Sequence, residues 1–171
     1  YAAGFPTMPT RADHLTGRWT MSFMGWEHLG DEVTTLAQLL ADQGVHTAAG
    51  GDTPFYWRHG MNYDRGFQTF FIYRGQPYSV VAPPKGGRES LDAREDWRFE
   101  SDKNVAQTMT RAMQWLESHY KEDFFLYLDT WDPHEPWDAP SYYTELYMPN
   151  YDGEVIAPVY GRWQDSRWFT E

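Results

Sequence analysis

Three side chains suited to handling oxyanions and protons stand out in this chain: the hydroxyl of Thr7, the guanidinium of Arg11 and the imidazole of His134. Thr7-Met8-Pro9-Thr10-Arg11 opens a segment expected to form a helix ending at Gly17. Thr7 is the expected N-cap, its hydroxyl accepting from backbone N–H groups two or three residues on. Pro9 fits the first turn, where its missing N–H would be unpaired anyway. Gly17 supplies the left-handed stop. Arg11 then lies one turn beyond Thr7 on the same face. Backbone N–H groups, the positive helix end and the guanidinium fork combine into an oxyanion site. A hydroxyl held there attacks a phosphoryl or sulfuryl group once a metal or base has removed its proton. His134 carries an imidazole, the side-chain type suited to proton transfer, and can protonate a departing alkoxide or phenoxide. The plainer alternatives are that Thr7 only caps, that Arg11 is a solvated charge and that His134 has structural partners.

The elements that must position these groups can be read in order. Trp19 to Gly30 is expected as a surface loop, and Asp31 as the cap of a helix whose stripe is Val33, Leu36, Ala37, Leu39 and Leu40, stopped by Gly44. Val45 to Ala49 follows as a short buried strand, with Gly50-Gly51-Asp52-Thr53-Pro54 as the loop at its end. Residues 55–98 are aromatic, Gly- and Pro-rich, and are expected to be a long irregular region of the kind that surrounds an active site. Asn104 to Tyr120 is the clearest helix, with Val105, Met109, Ala112 and Leu116 on its apolar face. Phe124 to Leu128 is an uninterrupted apolar run, expected as a central strand covered on both faces. It runs into Asp129-Thr130-Trp131-Asp132-Pro133-His134, and the tail from Ala139 reads as surface loop. Helix alternating with strand predicts a layered α/β fold, in which ligands sit at the carboxyl ends of the strands. Thr7, Asp52-Thr53 and His134 would all face that edge. A metal cluster of Asp129, Asp132, His134 and Asp138 is disfavoured, because Pro133 and Pro136 stiffen the loop and the spacing matches no ligand pattern. His14 and His46 are expected to be structural, and His28 and His119 to lie on the surface.

The 171 residues suit one domain. A net charge of −11 argues against nucleic acid or an anionic membrane as partner, and any anion site must be locally positive, with Arg11 and Arg18 as the nearby cations. No apolar run is long enough to cross a membrane. Without Cys there is neither a disulfide nor a thiolate metal site. Opening at Tyr1 and ending on Thr170-Glu171 in mid-flow, the chain reads as an internal piece of a longer protein.

Thr7-Met8-Pro9-Thr10-Arg11 with Leu15-Thr16-Gly17-Arg18 resembles the Cys-x-Pro-x-Arg and Leu-Thr-Gly-Arg signature of the sulfatase family, within the alkaline phosphatase superfamily. The Cys that this family oxidises to formylglycine is Thr7 here. Asp132-Pro133-His134-Glu135-Pro136-Trp137 after an apolar strand is similar to the family's His-x-Pro segment. Gly51-Asp52-Thr53-Pro54 stands where the family has Gly-Lys-x-His, so Asp52 replaces a substrate-binding Lys, with Arg58 or His59 as cations that could reach in.

The resemblance implies an α/β/α sandwich around a largely parallel or mixed sheet, with residues 1–171 forming part of one catalytic domain. The family's paired aspartates would precede Tyr1, and its later metal pair would follow Glu171. It implies hydrolysis of a small-molecule or carbohydrate sulfate ester, or a related phosphate ester. In that reading Thr7 is nucleophile and metal contact, Arg11 holds Thr7 and the anion, and His134 is the general acid. Asp52, Thr53 and Arg18 line the substrate. The implied cofactor is a divalent cation, Ca²⁺ first, with Mn²⁺ or Zn²⁺ as alternatives. An unmodified Thr is usual in superfamily members resembling phosphodiesterases, and a non-catalytic binding domain is the rival from another class.

Overall fold

Helix and strand alternate as expected, and the strands assemble into one parallel sheet. The computed structural model describes residues 4–73, 97–134 and 136–156. In chain order these form α1 (Thr7–Thr16), α2 (Leu36–Asp42), β1 (His46–Gly51), α3 (Pro54–Trp57), β2 (Thr69–Ile72), α4 (Asn104–His119), β3 (Phe124–Asp129) and α5 (Ser141–Tyr147). The sheet order is β2-β1-β3, with both pairings parallel. Gly51, Ile72 and Asp129 are in register at the carboxyl edge, and His46 opposes Phe124 at the other end.

Side chains alternate across each strand, and this sorts the core into two layers. Ala49, Phe125 and Tyr127 pack with Met8, Ala12 and Leu15 of α1, and with Tyr56, Tyr63 and Phe67. Ala48, Leu126 and Leu128 pack on the opposite side with Ala112 and Trp115 of α4, and with Phe71. The result is the expected α/β/α layering. Fully burying Met8, Leu15 and Leu29 contributes about 1.5–3 kcal/mol each. Gly50 is bare for a steric reason: a Cβ there would run into the Phe71 ring.

Several local expectations are corrected. Thr7 is the first helical residue rather than the cap; Pro6 occupies the cap position, with no side-chain capping bond. Gly17 does end α1 in the left-handed conformation, at φ 64°. Asp31 does not cap α2. Thr35 does, in a reciprocal capping box with Gln38, because the Thr hydroxyl and Gln amide satisfy two end donors at once. The 19–30 loop contains a 3-10 turn, Thr20–Ser22. It is anchored where Asp13 Oδ1 accepts from the Thr20 N–H at 2.7 Å and its hydroxyl at 2.6 Å.

Gly50 and Gly51 belong to β1 rather than to the loop after it. Region 55–98 is not irregular throughout, since most of α3 and all of β2 fall within it; residues 74–96 lie outside the described residues. β1, not β3, is the central strand among the described residues, because β3 is hydrogen-bonded on one edge only and Phe124 is exposed. Met109 is exposed on α4, and the tail includes α5.

Candidate active site

The amino end of α1 reaches the carboxyl edge of the sheet, and Arg11 is what fastens it there. Its Nε and Nη2 donate to the two carboxylate oxygens of Asp129, the last residue of β3. Its Nη1 donates to the Thr7 carbonyl at 3.2 Å. The guanidinium also lies 4.2 Å from the centroid of the Tyr56 ring. The pair is largely shut off from water, with Arg11 17% and Asp129 7% exposed. Burial alone would weaken Arg11 as a base, but the hydrogen bonds and charge of Asp129 outweigh it and raise its pKa. A planar fork matched to a carboxylate makes this a bidentate pair rather than a loose charge contact.

The other two loops are tied to the same point. The Asp52 N–H donates to the Asp129 carbonyl at 3.3 Å, and Asp52 Oδ1 accepts the Trp131 N–H at 2.6 Å. Gly51 permits this closeness, since a Cβ there would sit 2.7 Å from the Asp129 carbonyl oxygen. His134 follows in a turn, its N–H donating to the Trp131 carbonyl at 2.9 Å. The Trp131 and His134 ring centroids are 3.8 Å apart. Thr7, Arg11, Asp52, Asp129, Trp131 and His134 therefore form one connected edge.

The remaining candidates are placed differently. Thr53 is 2% and Asp52 1% exposed, and the Thr53 hydroxyl faces Asp52 Oδ1 at 3.5 Å, so both are turned inward. Arg18 lies beyond Gly17, past the opposite end of α1 from Thr7, roughly 16 Å along the helix axis at 1.5 Å per residue. Arg58 and His59 are exposed, Arg58 lying over the Phe55 ring at 4.4 Å. Asp138 pairs with Lys103 at 3.2 Å, away from Asp129.

A family model described as Sulfatase matches residues 1–155. The chain belongs to the sulfatase family. Comparison with curated proteins gives no match. Sulfatases are in general hydrolases of sulfate esters and typically use a divalent metal. Among the described residues, the group of three His, Asp or Glu side chains whose ligand atoms converge is His46, His119 and Glu122, at the far end of the sheet. The Thr7 edge presents no such set among the described residues: Asp129 is occupied by Arg11, and Asp52 by the Trp131 N–H. No helix among the described residues is long and apolar enough to cross a membrane.

Asp52 carries the clearest pH signature. Burial, with the nearby Asp132 and Asp129 charges, pushes its carboxyl up to about 6, against the opposing pull of the Trp131 N–H. A carboxyl raised in the fold favours folding while protonated. Its stabilisation is complete below the ordinary 3.8 and is lost as pH rises through about 6. That span is worth about 3 kcal/mol. Asp52→Asn keeps an oxygen for the Trp131 N–H but removes the charge. It should stabilise the intact protein by up to about 3 kcal/mol at pH 8 and flatten the decline between pH 4 and 6. Urea midpoints across pH read this directly, and parallel profiles for the two proteins would contradict it.

Proposed function

We propose that this chain supplies the nucleophile and acid of a sulfatase-like hydrolase acting on a sulfate ester, with a related phosphate ester as the alternative substrate. The supporting observation is the Arg11 fork, which grips both the Thr7 carbonyl and Asp129 and so ties the Thr7 helix to the loop bearing His134. In this reading the Thr7 hydroxyl loses its proton to solvent and Thr7 Oγ bonds to sulfur or phosphorus. The bond from that centre to the ester oxygen breaks, and the departing oxygen takes a proton from the His134 imidazolium. Water then cleaves the Thr7 ester, releasing the free oxyanion and restoring the hydroxyl. Arg11 positions Thr7, and two of its five N–H groups remain for the anion. Asp52 and Thr53 shape the loop beneath the substrate. A divalent ion would lower the pKa of the Thr7 hydroxyl and neutralise the anion, Ca²⁺ first. Since Thr7 alone makes no ion site, no step is assigned to that ion.

A formylglycine hydrate releases sulfate by elimination, a route closed to Thr, and this pulls toward phosphorus, while membership of the sulfatase family keeps the sulfate ester first. The close grouping of Asp52, Asp129 and Asp132 instead favours a second reading, a binding domain without catalysis. The test is a panel of aryl and alkyl sulfates, phosphates and phosphodiesters on the intact protein with Ca²⁺ or Mn²⁺, comparing wild type with His134→Gln. The variant should lose about a hundredfold or more in kcat on alkyl esters, whose leaving groups need a proton. It should lose far less on nitrophenyl esters. Equal losses on both would remove His134 as the acid, and no turnover by wild type on any ester would favour the binding domain.

A further inference from the structure

We propose that His46, His119 and Glu122 form a binding site for a borderline divalent cation of the zinc class, at the amino end of the sheet opposite Thr7. It does not rest on the ester chemistry above. His46 opens β1 and shares the α4 face with Ala48; His119 is the last residue of α4; Glu122 lies in the turn into β3. The His46 N–H donates to the Asp123 carbonyl at 2.9 Å, which fixes the start of β1 against that turn. Each of the three residues offers one ligand atom, and these atoms all lie within 4.8 Å of one another. Around a tetrahedral zinc, with ligands at about 2.0–2.1 Å, neighbouring donors are roughly 3.3 Å apart. His46 Nδ1 and Glu122 Oε2 are already 2.9 Å apart, and the remaining donor separations are at most 4.8 Å.

The surroundings are those of metal-binding imidazoles, whose second nitrogen is held by an outer partner. His119 Nδ1 is 2.8 Å from the Trp115 carbonyl, which can only accept, so that nitrogen carries the proton and Nε2 carries the lone pair. His46 Nε2 is 3.1 Å from the Thr69 hydroxyl, so a metal on Nδ1 leaves the ring proton on Nε2, directed at Thr69. Packing locks both rings. His119 stacks on Trp115 with centroids 4.3 Å apart, and His46 sits edge-on to Trp115 at 5.2 Å and to His119 at 4.8 Å. An ordinary His46–Glu122 ion pair accounts for two of the three groups but makes no use of the His119 Nε2 lone pair. Two imidazoles and one carboxylate suit zinc, nickel or copper rather than calcium or magnesium, which take oxygen. Glu122 is 51% exposed, which leaves a fourth position open to water.

The experiment is Co²⁺ titration of the chelator-stripped intact protein, read by visible d–d absorption and by calorimetry with Zn²⁺. Wild type, His119→Ala, Glu122→Gln and Thr7→Ala are compared. Wild type and Thr7→Ala should each bind one Co²⁺ with nitrogen ligation that His119→Ala and Glu122→Gln bind at least about tenfold more weakly. Glu122→Gln keeps an oxygen facing His46, so its fold is not at risk. In wild type and Thr7→Ala alike, the His46 and His119 imidazole NMR signals should move or broaden together on substoichiometric Co²⁺. Equal Co²⁺ affinity and spectra in all four proteins, or unmoved imidazole signals, would overturn the site.

Discussion

Asp129→Ala will destabilise the intact protein by about 3–5 kcal/mol, the range for removing one partner of a buried ion pair. The Arg11 guanidinium would remain in place, 17% exposed, with Nε and Nη2 facing a void where two carboxylate oxygens had been. It cannot escape the penalty by losing its proton, since Arg stays charged in proteins. Asp129→Asn should be nearly as damaging, because one amide group would set a donor against a donor. Replacing both partners, Arg11→Met with Asp129→Leu, removes the stranded charge, so the double variant should be more stable than the two single losses added together by about 2 kcal/mol or more. Urea unfolding of the four proteins measures the coupling. Additive losses would show that the pair is not a unit and that α1 is held to the edge by its apolar face alone.

Thr7→Ala should remove turnover on any ester the intact protein hydrolyses, by at least about a thousandfold, while leaving the fold untouched. Loss of a covalent nucleophile in hydrolases reaches about a millionfold. Stability should change by no more than about 0.5 kcal/mol, because Thr7 is the first helical residue rather than the cap and Ala is the better helix former. That separation distinguishes the nucleophile from Asp129, whose loss lowers activity through the fold, and from Arg11, whose loss removes an anchor of the fold together with an anion contact. Thr7→Ser, which keeps a hydroxyl on the same carbon, should recover part of the rate. Full activity in Thr7→Ala would assign the attack to water and leave Thr7 as the first residue of a helix.

Much of the frame was legible because it rests on local chemistry. Gly17 and Gly44 mark helix stops, the apolar run of β3 is unmistakable, and the spacing of α4 carries its own period. The Thr35-to-Gln38 box was also written in the sequence, and Asp31 obscured it only by standing earlier with an equally good side chain. β2 was hidden for a different reason. Its four residues, Thr69-Phe70-Phe71-Ile72, carry no alternation and sit among Gly and aromatics, so pairing with β1 rather than propensity makes them a strand. At the site, the residue types at 7, 11 and 134 could be singled out, yet the partner of Arg11 could not. Asp129 read as the start of a loop, and only the register of β3 against β1 carries it to the guanidinium. His119 and Glu122 share one turn, but only tertiary packing brings the distant His46 to them.

The distance between Arg11 and Asp129 along the chain, 118 residues, has a consequence for how the molecule comes into being. At 5–20 residues per second, a ribosome takes roughly 6–24 s to travel from one to the other. Through that interval α1 can coil and Met8 and Leu15 can find local company, but the guanidinium has no carboxylate to grip. β1 also waits for β3, though over the shorter span from His46 to its partner Phe124. Closing so long a loop costs entropy before any contact returns it, so the last steps of folding are the slow ones. The Arg11–Asp129 edge is therefore completed late: a growing chain has α1 but not its anchor until β3 has docked against β1.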